Sequence, residues 1–416
     1  MPARTRTAAL AAALVLGLAA GPAAPAALAT AAPHSDTYGT APDAEALRSA
    51  LVGLPRADAT AALVRVGGDD GSWRGGAGVH DLRGGRPADE GGRFRAGSVT
   101  KVFTAAVVLQ LAAEKRVDLD RPARSYLPAL IPAAYGAVTV RQLLDHTSGI
   151  PAAELPWSTV EESYAHRFDR HDPRDMVASA TAREREFAPG EAQHYLNINY
   201  TVLGLLIERV TGGRYAAEVH RRVLAPLGLR DTYFPGDDPR IKGPHNHGYQ
   251  SFSRPGDGSG HGPGDGPGDG SDGGSELRDV TVWGATDAWA AGDVISTTAD
   301  LERFLQALFR GRVVPEPQLA EMFTLPDPSV RDHESGDPAA YSAGLSVATL
   351  GGRQVWGKTG GRWGYNTAVA ATRDLSRTLV YSVNATDAKG RDMNPTALKL
   401  MVATFGAPSE EQAPPA

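Results

Sequence analysis

Hydrophobic and polar positions recur along this chain with two different periods. From Asp43 to Leu54 apolar residues return at helical spacing (Leu47, Ala50, Leu51), which predicts a helix. Ala61 to Val66 and Trp73 to Leu82 read as two short strands, separated by the turn residues Gly67, Gly68, Asp69, Asp70 and Gly71, a hairpin signal. Thr100 to Glu114 is apolar nearly all round (Val102, Phe103, Ala105, Ala106, Val107, Val108, Leu109, Leu111), the pattern of a helix buried inside a domain. Residues 115–250 are mostly helical in pattern with Pro and Gly breaks; in Tyr200 to Val210, residues Val202, Leu203, Leu206 and Val210 share a face. The period then drops to two. Ala343 to Thr349, Gln354 to Lys358, Asn366 to Ala371 and Thr378 to Asn384 predict successive strands of an antiparallel meander, and Thr396 to Phe405 a closing helix.

Two segments depart from this patterning. Residues 253–276 repeat Gly, Pro and Asp and hold nothing that could form a core, so they predict a disordered surface loop. A calcium-binding Gly/Asp repeat would need an apolar residue in each turn to stack inward, and none is present. At the other extreme, Arg4 and Arg6 precede an uncharged apolar run from Ala8 to Ala20, followed by Ala27-Leu28-Ala29. This is the layout of a secretory signal, expected over 1–31, and the run is too short to span a bilayer stably. The expectation is therefore a secreted, extracellular protein with no membrane anchor. The chain has no cysteine, which rules out both a lipid anchor on cysteine and disulfides. Its formal charge is −6, and loss of Arg4 and Arg6 with the signal takes it to −8. That acidity argues against nucleic acid as a partner, since phosphate binding needs a basic surface.

Candidate chemistry lies in three short motifs. Ser98-Val99-Thr100-Lys101 comes first, then Tyr195-Leu196-Asn197, then Lys358-Thr359-Gly360. Residue frequencies give a joint chance expectation on the order of a few in a thousand, so the set carries weight that no single motif does. Lysine is scarce here, six residues against 36 arginines. Where arginine is the default cation, lysine at two motif positions suggests a need for a group that can lose its proton. At the start of a helix, residues i and i+3 share a face. A serine hydroxyl is a poor nucleophile until a base takes its proton. Lys101 can be that base only if burial and a second cation, Lys358, pull its pKa from about 10.4 toward 7. Tyr195, flanked by two ammonium groups, is expected to become acidic enough to share the proton. Gly360 and Gly361 lie on an expected strand where no Cβ blocks a substrate. A backbone N–H there and one from Ser98 would form an oxyanion hole.

The motif set resembles serine β-lactamases and penicillin-binding proteins. Tyr-x-Asn in the middle is similar to class C β-lactamases and the secreted D-alanyl-D-alanine carboxypeptidases grouped with them. Phe94-Arg95-Ala96-Gly97-Ser98 through Leu119-Asp120, Leu144-Asp145-His146-Thr147-Ser148-Gly149, Asn199-Tyr200 to Gly204, and Ala291-Gly292 to Leu301 carry the likeness further. The resemblance implies an α+β fold: an antiparallel β-sheet flanked by helices, from 40–112 and 280–407, with a mostly helical domain, 113–279, inserted, and a flexible tail at 408–416. It implies Ser98 as nucleophile, Lys101 and Tyr195 as general acid/base groups, and Asn197 binding the substrate amide. Lys358 and Thr359 would meet a substrate carboxylate, and Gly361 would supply the second oxyanion donor beside Gly360. Arg362 is a candidate carboxylate clamp. Trp289 or Trp363 could wall the pocket, although core packing is the more natural use of either.

No metal or other cofactor is expected. His166, Asp169, His171 and Asp172 match no usual zinc spacing and read as a charged surface segment, and His245 and His247 likewise. His146 reads as part of a capped turn and not as a catalytic histidine. The leading expectation is a monomeric D-alanyl-D-alanine carboxypeptidase acting on cell-wall peptides through an acyl-Ser98 enzyme, with β-lactams as further ligands. A class C-like β-lactamase, a short-chain esterase and a non-catalytic penicillin- or peptidoglycan-binding module are the alternatives.

Overall fold

The computed structural model describes residues 41–253, 275–390 and 392–407. The expected signal segment 1–31, the tail 408–416 and most of the Gly/Asp/Pro insert, 254–274, lie outside the described residues.

Six strands form the main sheet: β1 (Ala59–Gly67), β2 (Trp73–Gly78), β3 (Ser346–Leu350), β4 (Arg353–Arg362), β5 (Tyr365–Thr372) and β6 (Thr378–Ala385). They lie in the order β2-β1-β6-β5-β4-β3, every neighbour antiparallel. The meander thus joins the N-terminal hairpin through β1 and β6, where Leu63 faces Ser382 and Val64 faces Tyr381. Side chains alternate between two cores, as a period of two requires. Val64, Val66, Leu379 and Tyr381 pack under the helices α1 (Ala44–Leu51) and, near the C-terminus, Pro395–Phe405. Leu63, Val369 and Val380 face the other way, toward α2 (Thr100–Ala113) and Thr298–Phe309. Both faces are covered by helices, which is the antiparallel sheet flanked by helices that the motif resemblance implied.

Helix boundaries follow local chemistry. The Asp43 carboxylate caps α1 by accepting from Glu45 N and Ala46 N at 3.0 and 2.9 Å. Helix α2 buries Val102, Phe103, Val107 and Val108 completely, and the Phe103 ring stacks on Phe304 at 3.9 Å. A third helix, α3 (Asn197–Thr211), starts three residues before the pattern suggested and ends where Gly212 turns left-handed at φ 76°. Within 113–279, Tyr249–Ser253 pairs antiparallel with Ser275–Asp279. Ser253, Ser275 and Glu276, expected in a loop, are therefore strand residues. Phe252 anchors this pair against Val280 and Trp283, a short aromatic core too small to show as a periodic pattern.

Candidate active site

Ser98 lies in a tight turn, Gly97–Val99, that feeds directly into α2. The turn is locked from several sides. Thr100 Oγ1 donates to Gly97 O at 2.7 Å and accepts from Val294 N at 3.0 Å, while Ala96 N donates to Val294 O at 2.9 Å. Gly97 has φ 53°, and a Cβ there would stand 2.8 Å from Gly361 N. A Cβ on Gly360 would stand 2.1 Å from Ala96 O and 2.9 Å from Ser98 N. These two glycines let strand β4 lie flat against the nucleophile turn, which brings the Ser98 and Gly361 amides side by side.

Lys101 is fully buried in the first turn of α2, three residues after Ser98. Its Nζ has three neighbours: Asn197 Oδ1 at 2.7 Å, Ala291 O at 2.9 Å and Ser98 Oγ at 3.3 Å. The first two are obligate acceptors. A neutral amine donates its two protons to them and turns its lone pair to Ser98, the arrangement a general base needs. Burial pushes the Lys101 pKa well below its usual value, and the charges of Lys358 and Lys389 add to the push. Lys358 is itself buried on β4, donates to Thr359 O at 2.9 Å, and is brought to about 7 by loss of solvation.

Tyr195 departs from the expectation. Its pKa is raised well above 10, by burial first and by Tyr341 next, with Ser98 opposing. The two lysines are close, but over the ring: Lys101 Nζ is 4.8 Å and Lys358 Nζ 4.5 Å from the ring centroid. Both approach the π face, where cations bind favourably, and neither makes a hydrogen bond to the hydroxyl. The phenol is thus a protonated donor and not an acidified base. Its Oη is buried without a well-formed hydrogen bond. The ring is held by Tyr341, stacked at 4.7 Å, and by His146, tilted at 4.5 Å.

The remaining expected residues divide. Thr359, Gly360 and Gly361 border Ser98 along a small cavity. The Asn197 amide oxygen is taken by Lys101, and the residue is exposed. Arg362 is not a free clamp. Its guanidinium makes two bonds to the Asp287 carboxylate, at 2.9 and 3.0 Å, and one to Gly284 O at 2.9 Å. Trp289 packs on Tyr215, and Trp363 joins Trp283 in the small aromatic core. His146 is buried at φ 65° in a turn where the Asp145 side chain accepts from Thr147 N and Oγ1. His166 pairs with Asp169, and Asp172 caps a helix at Pro173–Thr181. Among the described residues no group of three or more His, Asp or Glu is placed to hold a metal ion, and no helix is long and apolar enough to cross a membrane.

Sequence reasoning missed four groups. The Ala291 carbonyl and Tyr341 carry no local signal, because their roles arise only on folding. Asp287 is legible only once Arg362 is known to need a partner. Lys389 could have been found, since it shares the rarity that singled out Lys101 and Lys358.

A buried lysine beside a serine, a buried phenol next to both and a glycine strand edge make up this candidate site. A model of the beta-lactamase family matches residues 47–402, and the chain belongs to that family. Among solved structures, it is similar to a D-stereospecific amidohydrolase from Streptomyces sp., with 33% identity, a TM-score of 0.70, and coverage of 88% of this chain and 99% of that one. The D-amino acid amidase of Ochrobactrum anthropi SV3 shares the fold at TM-score 0.69 and 24% identity, over 86% of this chain and 96% of that one. Among curated relatives, esterase EstB of Burkholderia gladioli is 35% identical over 196 residues, 45% of this chain and 50% of the esterase. Protein flp of Staphylococcus aureus is 31% identical over 36% of this chain and 30% of flp. The matches thus span half or less of these curated relatives.

Proposed function

We propose that this protein hydrolyses amide and peptide bonds on the carbonyl side of a D-configured residue, through an acyl-Ser98 intermediate. Cleavage of terminal D-Ala-D-Ala in cell-wall peptides is the specific case favoured by the motif set. The observation that carries the reading is the placement of the Lys101 amine, whose two acceptors leave one direction free, toward Ser98. The similarity to the Streptomyces D-stereospecific amidohydrolase, over nearly all of that chain, supports the stereochemical part.

Neutral Lys101 takes the Ser98 proton as Oγ bonds to the scissile carbonyl carbon. The oxygen that gains the electron pair faces the Ser98 and Gly361 amides. Tyr195 delivers a proton to the departing nitrogen as the C–N bond breaks, and takes back the proton that Lys101 received from Ser98. Water then repeats the attack on the acyl-serine, releasing the acid and restoring Ser98. The strand edge from Lys358 to Arg362 assists binding. Pairing of β4 with β3 ends at Gly357 opposite Ser346, while pairing with β5 continues to Arg362 opposite Tyr365, so an extended substrate can lie along the free edge.

The test is hydrolysis of D- and L-alanine amides and of an acyl-D-Ala-D-Ala peptide by wild type and Ser98→Ala. Release of product from the D series by wild type alone is expected. Equal turnover of both enantiomers, or none, sinks the reading. Ester cleavage is the second reading, favoured by the match to esterase EstB. Turnover confined to p-nitrophenyl esters would establish it. We also propose export, on the charged-then-apolar start at Arg4 to Ala29; N-terminal sequencing of protein from the culture medium, beginning near residue 32, would support it, and an intact Met1 would not.

A further inference from the structure

Three of the six lysines lie at this site, and the third, Lys389, has no part in the chemistry above. It lines, with Ser98, Thr359, Gly361 and Asn394, a cavity of about 30 Å³ beside the nucleophile. That volume holds about two water-sized groups, the size of one carboxylate and not of a side chain. Thr367 also lines it, and its hydroxyl is buried without a hydrogen-bond partner.

The backbone that carries Lys389 is fixed in advance. Ala388 N donates to Gln250 Oε1 at 3.2 Å. The Asn366 amide, oriented to donate, reaches Ala388 O at 3.0 Å and Tyr365 O at 3.2 Å. Gly361 lies directly beneath, since a Cβ there would come within 3.0 Å of Ala388 O. The segment therefore rests on the strand residue that faces the reacting carbonyl.

The ammonium itself lacks a counter-charge. It is half-buried, its Nζ lies 5.9 Å from the centroid of the neutral Trp363 ring, and among the described residues no carboxylate stands within ion-pair distance of it. The carboxylate that acts on it, Asp287, is committed to Arg362. An uncompensated, partly desolvated charge is unfavourable, and a fold keeps one where a ligand completes it. Burial and the neighbouring Arg362 lower its pKa only to about 8, so it stays mainly charged at neutral pH.

We propose that Lys389 is a specificity-determining residue that binds a carboxylate of the substrate, so that the enzyme prefers substrates ending in a free acid over their neutral amides. Arg362, the residue whose sequence position suggested that task, cannot perform it while paired. The inference rests on the proposed function, because it concerns selection among acyl donors of Ser98.

The test compares two peptides with the same acyl part, acyl-D-Ala-D-Ala and acyl-D-Ala-D-Ala-amide, on wild type, Lys389→Met and Lys389→Arg. Wild type should favour the acid. The ratio of kcat/KM for acid over amide should fall by at least about tenfold in Lys389→Met, through KM, and be largely kept in Lys389→Arg. Any effect of Lys389 on Lys101 acts on both peptides and cancels in the ratio. Cleavage of both peptides with the ratio unchanged would overturn the inference alone. Cleavage of neither by wild type would overturn the proposed function and the inference with it.

Discussion

Asn197 Oδ1 lies 2.7 Å from Lys101 Nζ, nearer than the Ser98 Oγ that Lys101 serves, at 3.3 Å. The amide oxygen fixes where one lysine proton points without adding a charge that would hold the lysine protonated. Asn197→Asp keeps the shape and adds that charge. A carboxylate there favours the protonated amine, so the acidic limb of the kcat/KM–pH profile should move to higher pH by about one unit or more. An unmoved limb would mean that Lys101 is not the base.

Lys101→Arg is the sharper probe of proton transfer. Arginine has a similar length but stays protonated near neutrality, so it cannot accept the Ser98 proton. Acylation should fall by about a thousandfold or more while the fold survives. Intact-mass spectrometry after incubation with benzylpenicillin or an activated ester measures it, with Ser98→Ala as the blank.

Tyr195→Phe should separate amides from activated esters. A departing amine needs a proton, and a p-nitrophenolate does not. Amide turnover should drop about a hundredfold or more and ester turnover by much less. Because the Tyr195 hydroxyl is buried without a well-formed hydrogen bond, its removal should leave the melting temperature level or higher. A fall in both activities alike, or a clear loss of stability, would contradict this role.

Gly360→Ala places a methyl group 2.1 Å from Ala96 O, a backbone atom that cannot rotate away. Strand β4 must lift off the nucleophile turn. The expected result is a loss of about 1–3 kcal/mol in urea unfolding together with collapse of acylation. Normal acylation by this variant would show that the close approach of strand and turn is unnecessary.

The Arg362–Asp287 pair should act on stability before specificity. Asp287→Ala leaves a buried guanidinium unpaired, at a cost of about 3 kcal/mol. The pH dependence has a definite sign. Burial alone would raise the Asp287 pKa, but Arg362 outweighs it and the value is lowered. The pair's contribution is therefore full above the unfolded carboxylate value of about 3.8 and is lost as pH falls through the lower folded value. Urea titrations at pH 6 and pH 3 should show a smaller gap between wild type and Asp287→Ala at pH 3. An equal gap would remove Asp287 from the account.

Much of this was legible in the sequence where the relevant physics is local. Ser98 and Lys101 share a helix face because they are three residues apart, and the apolar run after them fixes α2 as buried. The alternation of Leu379, Val380 and Tyr381 determines which side of the sheet each faces. What escaped depends on the atom that meets a neighbour. Proximity of two lysines to Tyr195 suggested an acidified phenol, but burial raises its pKa and neither lysine hydrogen-bonds its oxygen. Arg362 had the right charge in the right place, and only the fold supplies Asp287, 75 residues earlier, to occupy it. The paired strands at Tyr249–Ser253 and Ser275–Asp279 escaped because the composition of the insert masked its two ends.

The junction of β1 with β6 has a consequence in time. Ser98, Lys101 and Tyr195 are synthesised early, but the strand that completes their site is held in place by β5 and β6, and β6 must reach β1 across more than three hundred residues. A nascent chain carries the nucleophile long before it can use it. Chains halted near residue 340 should take up no acyl label, whereas the finished chain does. A site of this kind thus waits for β6 to be made, and a copy halted before it should be a harmless one.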